Sequence, residues 1–175
     1  MKGKKKIIIA LVVLALIPIV KNIGINAEQR LYIRNLNSKA KNKFRQFIKR
    51  VQKETGYDVI ITSGYRTFEK QQQLYDSGQT TARAGNSFHN YGMAIDINAV
   101  KVGSWLRMGS SKSSWEQSGI PQIAENMGLR WGGNFSSFYD PVHFDLGNEY
   151  TLSSLKNRAE QLYGSNPSDI QGNLV

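Results

Sequence analysis

The first 27 residues differ from the rest of the chain and limit what it can fold into. Four lysines lie among the first six residues, and residues 7–20 form a run of 14 residues without a polar side chain. A basic segment followed by an apolar run of about 7–15 residues is typical of a secretory signal peptide, whereas a transmembrane helix needs about 20 apolar residues. We therefore predict that residues 1–27 are a signal peptide cleaved after Ala27 or an N-terminal membrane anchor. Either alternative exports the domain that follows.

The remainder of the chain has the length of one domain. Its clearest helix is predicted over residues 38–55, where the apolar residues recur at helical spacing, Ser38 is a candidate cap and Gly56 ends the pattern. The other predicted elements are strands at 57–62, 93–99 and 142–146, helices at 67–78, 121–127 and 151–163, a loop at 79–88 and an irregular segment at 101–118.

Helices that flank a few separated strands indicate an α+β fold with a small, largely antiparallel sheet. We predict a single domain over residues 28–163 and a flexible tail over residues 164–175.

Half of the net charge of +10 lies in the leader, residues 1–27. Five lysines and no acidic residue precede Ala27, so 18 basic residues face 13 acidic ones in the rest of the chain. This modest surplus suits any anionic polymer and does not by itself predict binding to nucleic acid.

The composition restricts any metal site to few ligands. The chain has no cysteine, which excludes disulfides, thiolate sites and cysteine nucleophiles, and its only histidines are His89 and His143. Two imidazoles and one carboxylate are a common ligand set for catalytic zinc, and Asp96 reaches the same ion if Gly92 lets the chain turn back. Asp140 is then a candidate base for a water molecule. On spacing alone, ordinary hydrogen-bonded histidines remain the more frequent alternative.

Three separated blocks carry a more specific signal. They are S-G-Y-R-T at residues 63–67, S-x-H-x-x-G-x-A-x-D at residues 87–96, and W-G-G followed by D-x-x-H-F within residues 131–144. In this order they resemble the zinc D-alanyl-D-alanine carboxypeptidases and L-alanyl-D-glutamate endopeptidases, which include VanY-like and phage-endolysin peptidases. The resemblance extends over residues 31–163.

The resemblance implies a hedgehog/D-Ala-D-Ala-peptidase-like zinc site and a role for each matching residue. His89, Asp96 and His143 match the ligands of one zinc ion. Asp140 matches the catalytic carboxylate, and Arg66 matches the arginine that holds the scissile carbonyl oxygen. The positions that match the lining of the substrate cleft are Ser87 and Gln71.

The implied function is an exported zinc metallopeptidase that cleaves peptidoglycan stem peptides, with no nucleic-acid partner and with membrane contact only through an uncleaved leader. The aspartate at position 140 and the W-G-G block favour an L-Ala–D-Glu endopeptidase, with a D-Ala–D-Ala carboxypeptidase as the alternative. Residues 79–86 are short for the family and residues 101–117 match no motif, so the cleaved bond stays open. A non-catalytic cell-wall binding module and an exported polyanion-binding protein are the distant alternatives.

Overall fold

The structure, a computed structural model, describes residues 27–164, and of the first two only the backbone. The predicted leader before Ala27 and the tail beyond residue 164 lie outside the described residues. The helices are α1 (Ala27–Arg34), α2 (Ser38–Thr55), α3 (Phe68–Asp76), α4 (Lys112–Gln117), α5 (Ile120–Asn126) and α6 (Leu152–Tyr163). The strands are β1 (Asp58–Ser63), β2 (Ala94–Lys101), β3 (Ser104–Leu106), β4 (Arg130–Trp131) and β5 (His143–Asp145). Two short 3-10 turns complete the order, at Phe88–Tyr91 and Gly132–Asn134.

The five strands form one sheet in which every pair is antiparallel. Strand β2 is central, because it pairs with β1, β3 and β5, and β5 also pairs with β4. The predicted α+β class with a small antiparallel sheet is confirmed. The fold places the N-terminal half of β2 beside β5, and this is where the functional side chains meet.

Helix α2 supplies much of the core because one of its faces is apolar throughout. Its buried residues recur three or four positions apart, as a helix packed on a sheet requires, and they are Ala40, Phe44, Phe47, Ile48 and Val51. The Phe47 ring contacts the Phe144 ring of β5 at a centroid distance of 5.0 Å, which ties this helix to the strand that carries His143.

The structure corrects three local predictions. Asn37, not Ser38, caps α2, since its side chain accepts from the Lys39 N–H, while Gly56 ends the helix in the left-handed conformation as predicted. The segment 101–118 is not irregular, because it contains β3 and α4. Helix α3 ends at Asp76, two residues before the predicted Gly78.

Among the residues that the structure describes, no helix is long and apolar enough to cross a membrane.

Candidate metal and catalytic site

Three elements bring His89, Asp96 and His143 together. Asp96 of β2 pairs directly with His143 of β5 in the antiparallel register. His89 lies in the preceding 3-10 turn, which ends at Gly92 with a φ of 65°. A Cβ at position 92 would lie 2.7 Å from the backbone nitrogen of Asn37, so only glycine fits this turn. The prediction that Gly92 lets the chain turn back, so that Asp96 approaches His89, is therefore confirmed.

The three side chains aim one atom each at a common point. His89 Nε2 lies 3.1 Å and His143 Nδ1 lies 3.0 Å from Asp96 Oδ1, and the two nitrogens are 3.2 Å apart. His89 and His143 are 2% and 8% exposed, so water cannot fully surround these atoms.

In each histidine, the hydrogen bond of the ring nitrogen that faces away from Asp96 determines the tautomer of the imidazole. His89 Nδ1 lies 2.7 Å from the carbonyl oxygen of Gly64, which can only accept a hydrogen bond, so this nitrogen carries the proton. His143 Nε2 donates in the same way to Asp145 Oδ2 at 3.0 Å. With a metal ion bound, each ring would be neutral and would present a lone pair toward Asp96. Three electron-rich atoms converge at one point, where only a cation or a proton can interact favourably with all of them. Two imidazoles and one carboxylate arranged in this way fit a metal ion such as zinc.

Without a metal ion, the pKa shifts of these side chains place a proton on His143 beside the Asp96 carboxylate. Burial lowers the pKa of His89. Burial also opposes a charge on His143, but its hydrogen bonds to Asp145 and Asp96 outweigh this and raise its pKa to about 10. Burial would raise the pKa of Asp96, yet the charge of His89 and the hydrogen bonds from both rings hold it well below its usual value. The surroundings of Asp96 therefore favour a positive charge, which a bound cation supplies.

A partly exposed ion pair between Arg130 and the buried Asp145 supports His143 on the side away from Asp96. Arg130 donates from Nε and Nη2 to both oxygens of Asp145, at 2.8 and 2.7 Å, and the Gly147 N–H donates to the same carboxylate. The Arg130 guanidinium lies 5.0 and 5.3 Å from the ring centres of Phe88 and Phe135. Burial alone would raise the pKa of Asp145, but the hydrogen bonds from His143 and Arg130 lower it to about 2.

Sequence reasoning missed Asp145 and Arg130 as members of the site. The available signal was the H-x-D spacing, because residues two apart in a strand point to the same face. The pairing of Arg130 with Asp145 across β4 and β5 needs the sheet register, which the sequence does not show.

Arg66 reaches the site from the segment between β1 and α3. Its Nη2 lies 3.3 Å from Asp96 Oδ2 and 2.9 Å from Ser63 Oγ, and its Nη1 donates to Gln71 Oε1 at 2.8 Å. Burial is the main influence on its pKa and lowers it, against the charges of Asp96 and Asp140. Gln71 has no exposed surface, and its Nε2 donates to the Ala82 carbonyl at 2.7 Å.

Asp140 lies beside the histidines at the end of a turn. The His143 N–H donates to the Asp140 carbonyl at 3.2 Å, and the Asp140 N–H donates to Gly132. A Cβ at Gly132 would lie 2.4 Å from the Asp140 carbonyl oxygen, so the glycine permits this close approach. Burial raises the pKa of the Asp140 carboxyl, while His143, Asp96, His89 and Arg66 act on it through their charges.

These side chains open into one cleft of ≈ 1160 Å³. Arg66, Ser87, His89, Asp96, Asp140 and His143 all line it. The Ser87 side chain also accepts from the His89 N–H at 3.3 Å. Trp131 and Phe144 of the third sequence block are buried at 2% and 0% exposure and pack in the hydrophobic core.

Three comparisons describe what the chain is similar to. Residues 80–146 match a family model described as D-alanyl-D-alanine carboxypeptidase. The chain is 35% identical over 105 residues to the peptidoglycan L-alanyl-D-glutamate endopeptidase CwlK of Bacillus subtilis (strain 168), with 52% of this chain and 62% of the relative covered. It is 30% identical over 91 residues to the L-alanyl-D-glutamate peptidase of Listeria phage A118, with 52% of this chain and 31% of the relative covered. The chain thus spans less than two thirds of the length of either curated relative.

The fold is similar to that of the L-Ala D-Glu endopeptidase ChiX of Serratia marcescens, with a TM-score of 0.52 and 20% identity. The match covers 73% of this chain and 92% of that one. The resemblance that the three sequence blocks indicate is confirmed by these comparisons.

Proposed function

We propose, on the premise of the resemblance to the D-alanyl-D-alanine carboxypeptidase family over residues 80–146, that this chain is an exported zinc metallopeptidase of peptidoglycan stem peptides. The observation that carries the proposal is the convergence of one potential ligand atom each from His89, Asp96 and His143 in a cleft that Asp140 and Arg66 also line. Structural histidines alone explain neither this convergence nor the cleft.

We assign the metal to these three residues, in agreement with the sequence-based hypothesis. A zinc ion bound there supplies a Lewis acid that polarises a substrate carbonyl and activates water near neutral pH. The Gly64 carbonyl and the Asp145 carboxylate keep each imidazole in the tautomer that presents its lone pair.

Asp140 is the proposed general base and acid. Its backbone turn holds it next to His143, and no hydrogen bond from the described residues occupies its carboxylate. The pKa of this carboxyl is raised, first by burial, so the group is better suited to carrying a proton than an ordinary aspartate. We propose that it accepts a proton from the attacking water and passes the proton to the leaving amine.

Arg66 is the proposed stabiliser of the carbonyl oxygen. Its side chain is 14% exposed and lines the cleft next to Asp96. A guanidinium held in a water-poor site stabilises the negative charge that develops on that oxygen in the transition state.

Gln71 and Ser87 receive different proposed roles. Because Gln71 has no exposed surface, we propose that it holds Arg66 instead of touching substrate. Ser87 is half-buried at the cleft wall, so we retain it as a substrate-binding residue.

We propose the L-Ala–D-Glu bond as the one that is cleaved, because the names of both curated relatives specify that bond. A D-Ala–D-Ala carboxypeptidase is the second candidate, because the matching family model carries that description. Such substrates lie outside the cytoplasm, which agrees with the predicted exported location.

The test is mass spectrometry of defined muropeptides incubated with the zinc-loaded full chain, beside an Asp140→Asn variant. Release of the peptide after L-Ala supports the endopeptidase, and loss of one terminal D-Ala supports the carboxypeptidase. Intact substrates with a zinc-bearing protein would contradict both and favour the non-catalytic binding module.

A further inference from the structure

Three arginines line the cleft, and they differ in whether a carboxylate contacts the guanidinium. Arg66 lies at the Asp96 carboxylate, and Arg130 is paired with both oxygens of Asp145. Arg83, the third, forms no ion pair with any carboxylate among residues 27–164. The neighbouring Asp76 is engaged by Gln72, whose Nε2 donates to it at 2.8 Å. The cleft therefore contains one arginine that no carboxylate of the described chain contacts directly, and the charge of Asp76 acts on it only from a distance.

Arg83 is exposed but held in a defined direction. Its guanidinium carbon lies 5.0 Å from the ring centre of Tyr75 in α3. Contact with the Tyr75 side chain orients the guanidinium without neutralising its charge, and a guanidinium has five N–H groups, more than one tyrosine can engage. A side chain held in this way loses less entropy when it binds a ligand than a freely rotating arginine does.

The backbone around Arg83 is fixed on both sides. Before it, the Ala82 carbonyl accepts from the buried Gln71 Nε2. After it, the Ala84 N–H donates to Gln72 Oε1 at 3.3 Å, and the Gly85 N–H donates to the buried Asn90 Oδ1 at 2.9 Å. The segment is short and without helix or strand, yet these side chains anchor it to α3 and to the turn that carries His89.

Gln71 connects this segment to the catalytic arginine. Its amide oxygen accepts from Arg66, and its amide nitrogen donates to the residue next to Arg83. One buried side chain therefore holds the guanidinium of Arg66 and the backbone next to Arg83. This is the arrangement expected if both act on the same bound molecule.

We propose that Arg83, held over Tyr75, is an anion subsite that binds a free carboxylate of the peptide substrate. This inference rests on the proposed function and deepens it by naming the substrate charge. Glutamate has two carboxyl groups and a linear peptide uses one of them, so a substrate containing D-Glu keeps a carboxylate beside the bond to L-Ala. A guanidinium recognises such a group through two parallel N–H···O bonds.

The test is a cycle of two peptides and two proteins, measured as binding. The peptides are L-alanyl-γ-D-glutamyl-L-lysine and the same peptide with the free glutamate carboxylate converted to an amide. The proteins are the zinc-loaded full chain carrying Asp140→Asn, which prevents turnover, with and without Arg83→Gln. We expect the carboxylate peptide to bind about tenfold more tightly than the amide, and Arg83→Gln to remove that preference while changing the affinity for the amide little.

Two further variants complete the test. Arg83→Lys keeps a point charge without the planar fork, so it should retain part of the preference. Arg45→Gln removes one exposed charge from α2, outside the cleft lining, and should leave the preference unchanged.

Equal affinity for the two peptides, a tenfold preference that survives Arg83→Gln, or no binding of either peptide would overturn the inference. Cleavage of the same peptides by the protein with native Asp140 tests the proposed function separately. Selective binding without cleavage would therefore sustain the subsite and contradict the enzyme.

Discussion

The two sides of the metal site are built from different kinds of contact. On the first side, His89 Nδ1 donates to the Gly64 carbonyl, and the Asn90 side chain donates to the carbonyls of Arg66 and Thr67. Neutral backbone groups therefore hold this part of the site. On the second side, His143 Nε2 donates to the Asp145 carboxylate, which also forms an ion pair with Arg130. A neutral backbone acceptor orients a ligand, whereas a carboxylate also increases the electron density on it. The second side should therefore depend more strongly on single substitutions.

The largest expected effect comes from Asp140, the proposed proton carrier of the second side. Asp140→Asn keeps the shape of the side chain but cannot accept the proton, so kcat/KM for the stem peptide should fall by about 10²–10⁴-fold. Zinc content and thermal stability should stay as in the unmodified protein, because Asp140 is not among the three proposed ligands. Activity retained within about threefold would remove Asp140 from the mechanism.

The second-largest effect is expected at Asp145, on the side of the site that is held by a charged pair. Asp145→Asn removes the charge behind His143 and should raise the dissociation constant for zinc by about 10–100-fold, measured by competition with a chelating indicator. The control on the first side is Ser63→Ala, which deletes the hydroxyl that accepts one hydrogen bond from Arg66 and should change zinc affinity by about threefold or less. Equal effects of the two variants would mean that the two sides do not differ.

A smaller effect concerns the turn that places Asp140. A Cβ at Gly132 would lie 2.4 Å from the Asp140 carbonyl oxygen and 3.0 Å from the His143 Cβ, so Gly132→Ala forces the turn open. The free energy of unfolding should fall by about 1–3 kcal/mol in urea titration. Gly109→Ala is the matched control, because a Cβ there meets nothing within 4 Å, and it should be close to neutral.

The smallest effect is expected on the first side, at Gln71. Gln71→Met removes both bonds that position Arg66 and Ala82, and kcat/KM should fall by about tenfold without loss of zinc. The measurement is steady-state cleavage of the stem peptide together with metal analysis of the same sample. A loss of zinc in this variant would show that Gln71 supports the ligands and not Arg66.

The sequence predicts the local parts of the molecule well. The apolar spacing within α2 and the glycine at position 56 determine that helix by themselves. The sequence blocks likewise predicted the cluster of His89, Asp96 and His143, because each lies within a motif whose spacing is visible in the chain.

The parts that were missed depend on contacts between distant residues. Strand β3 is only three residues long and exists through its pairing with β2, and α4 packs through the fully buried Trp115. Both lie in a segment rich in serine and glycine, which by itself indicates no regular element. The link from Arg130 to Asp145 and the burial of Gln71 also arise only when separate elements pack together.

Our proposal for the site is that its two sides meet at one metal ion. It is tested most directly by measuring the zinc bound per chain, by mass spectrometry of the metal, in the full protein and in the variants His89→Ala, Asp96→Ala and His143→Ala. We expect one zinc per chain in the unmodified protein and a large loss in each variant, with the folded state checked by circular dichroism. A folded protein that binds no zinc, or a zinc content that all three variants retain, would contradict the account.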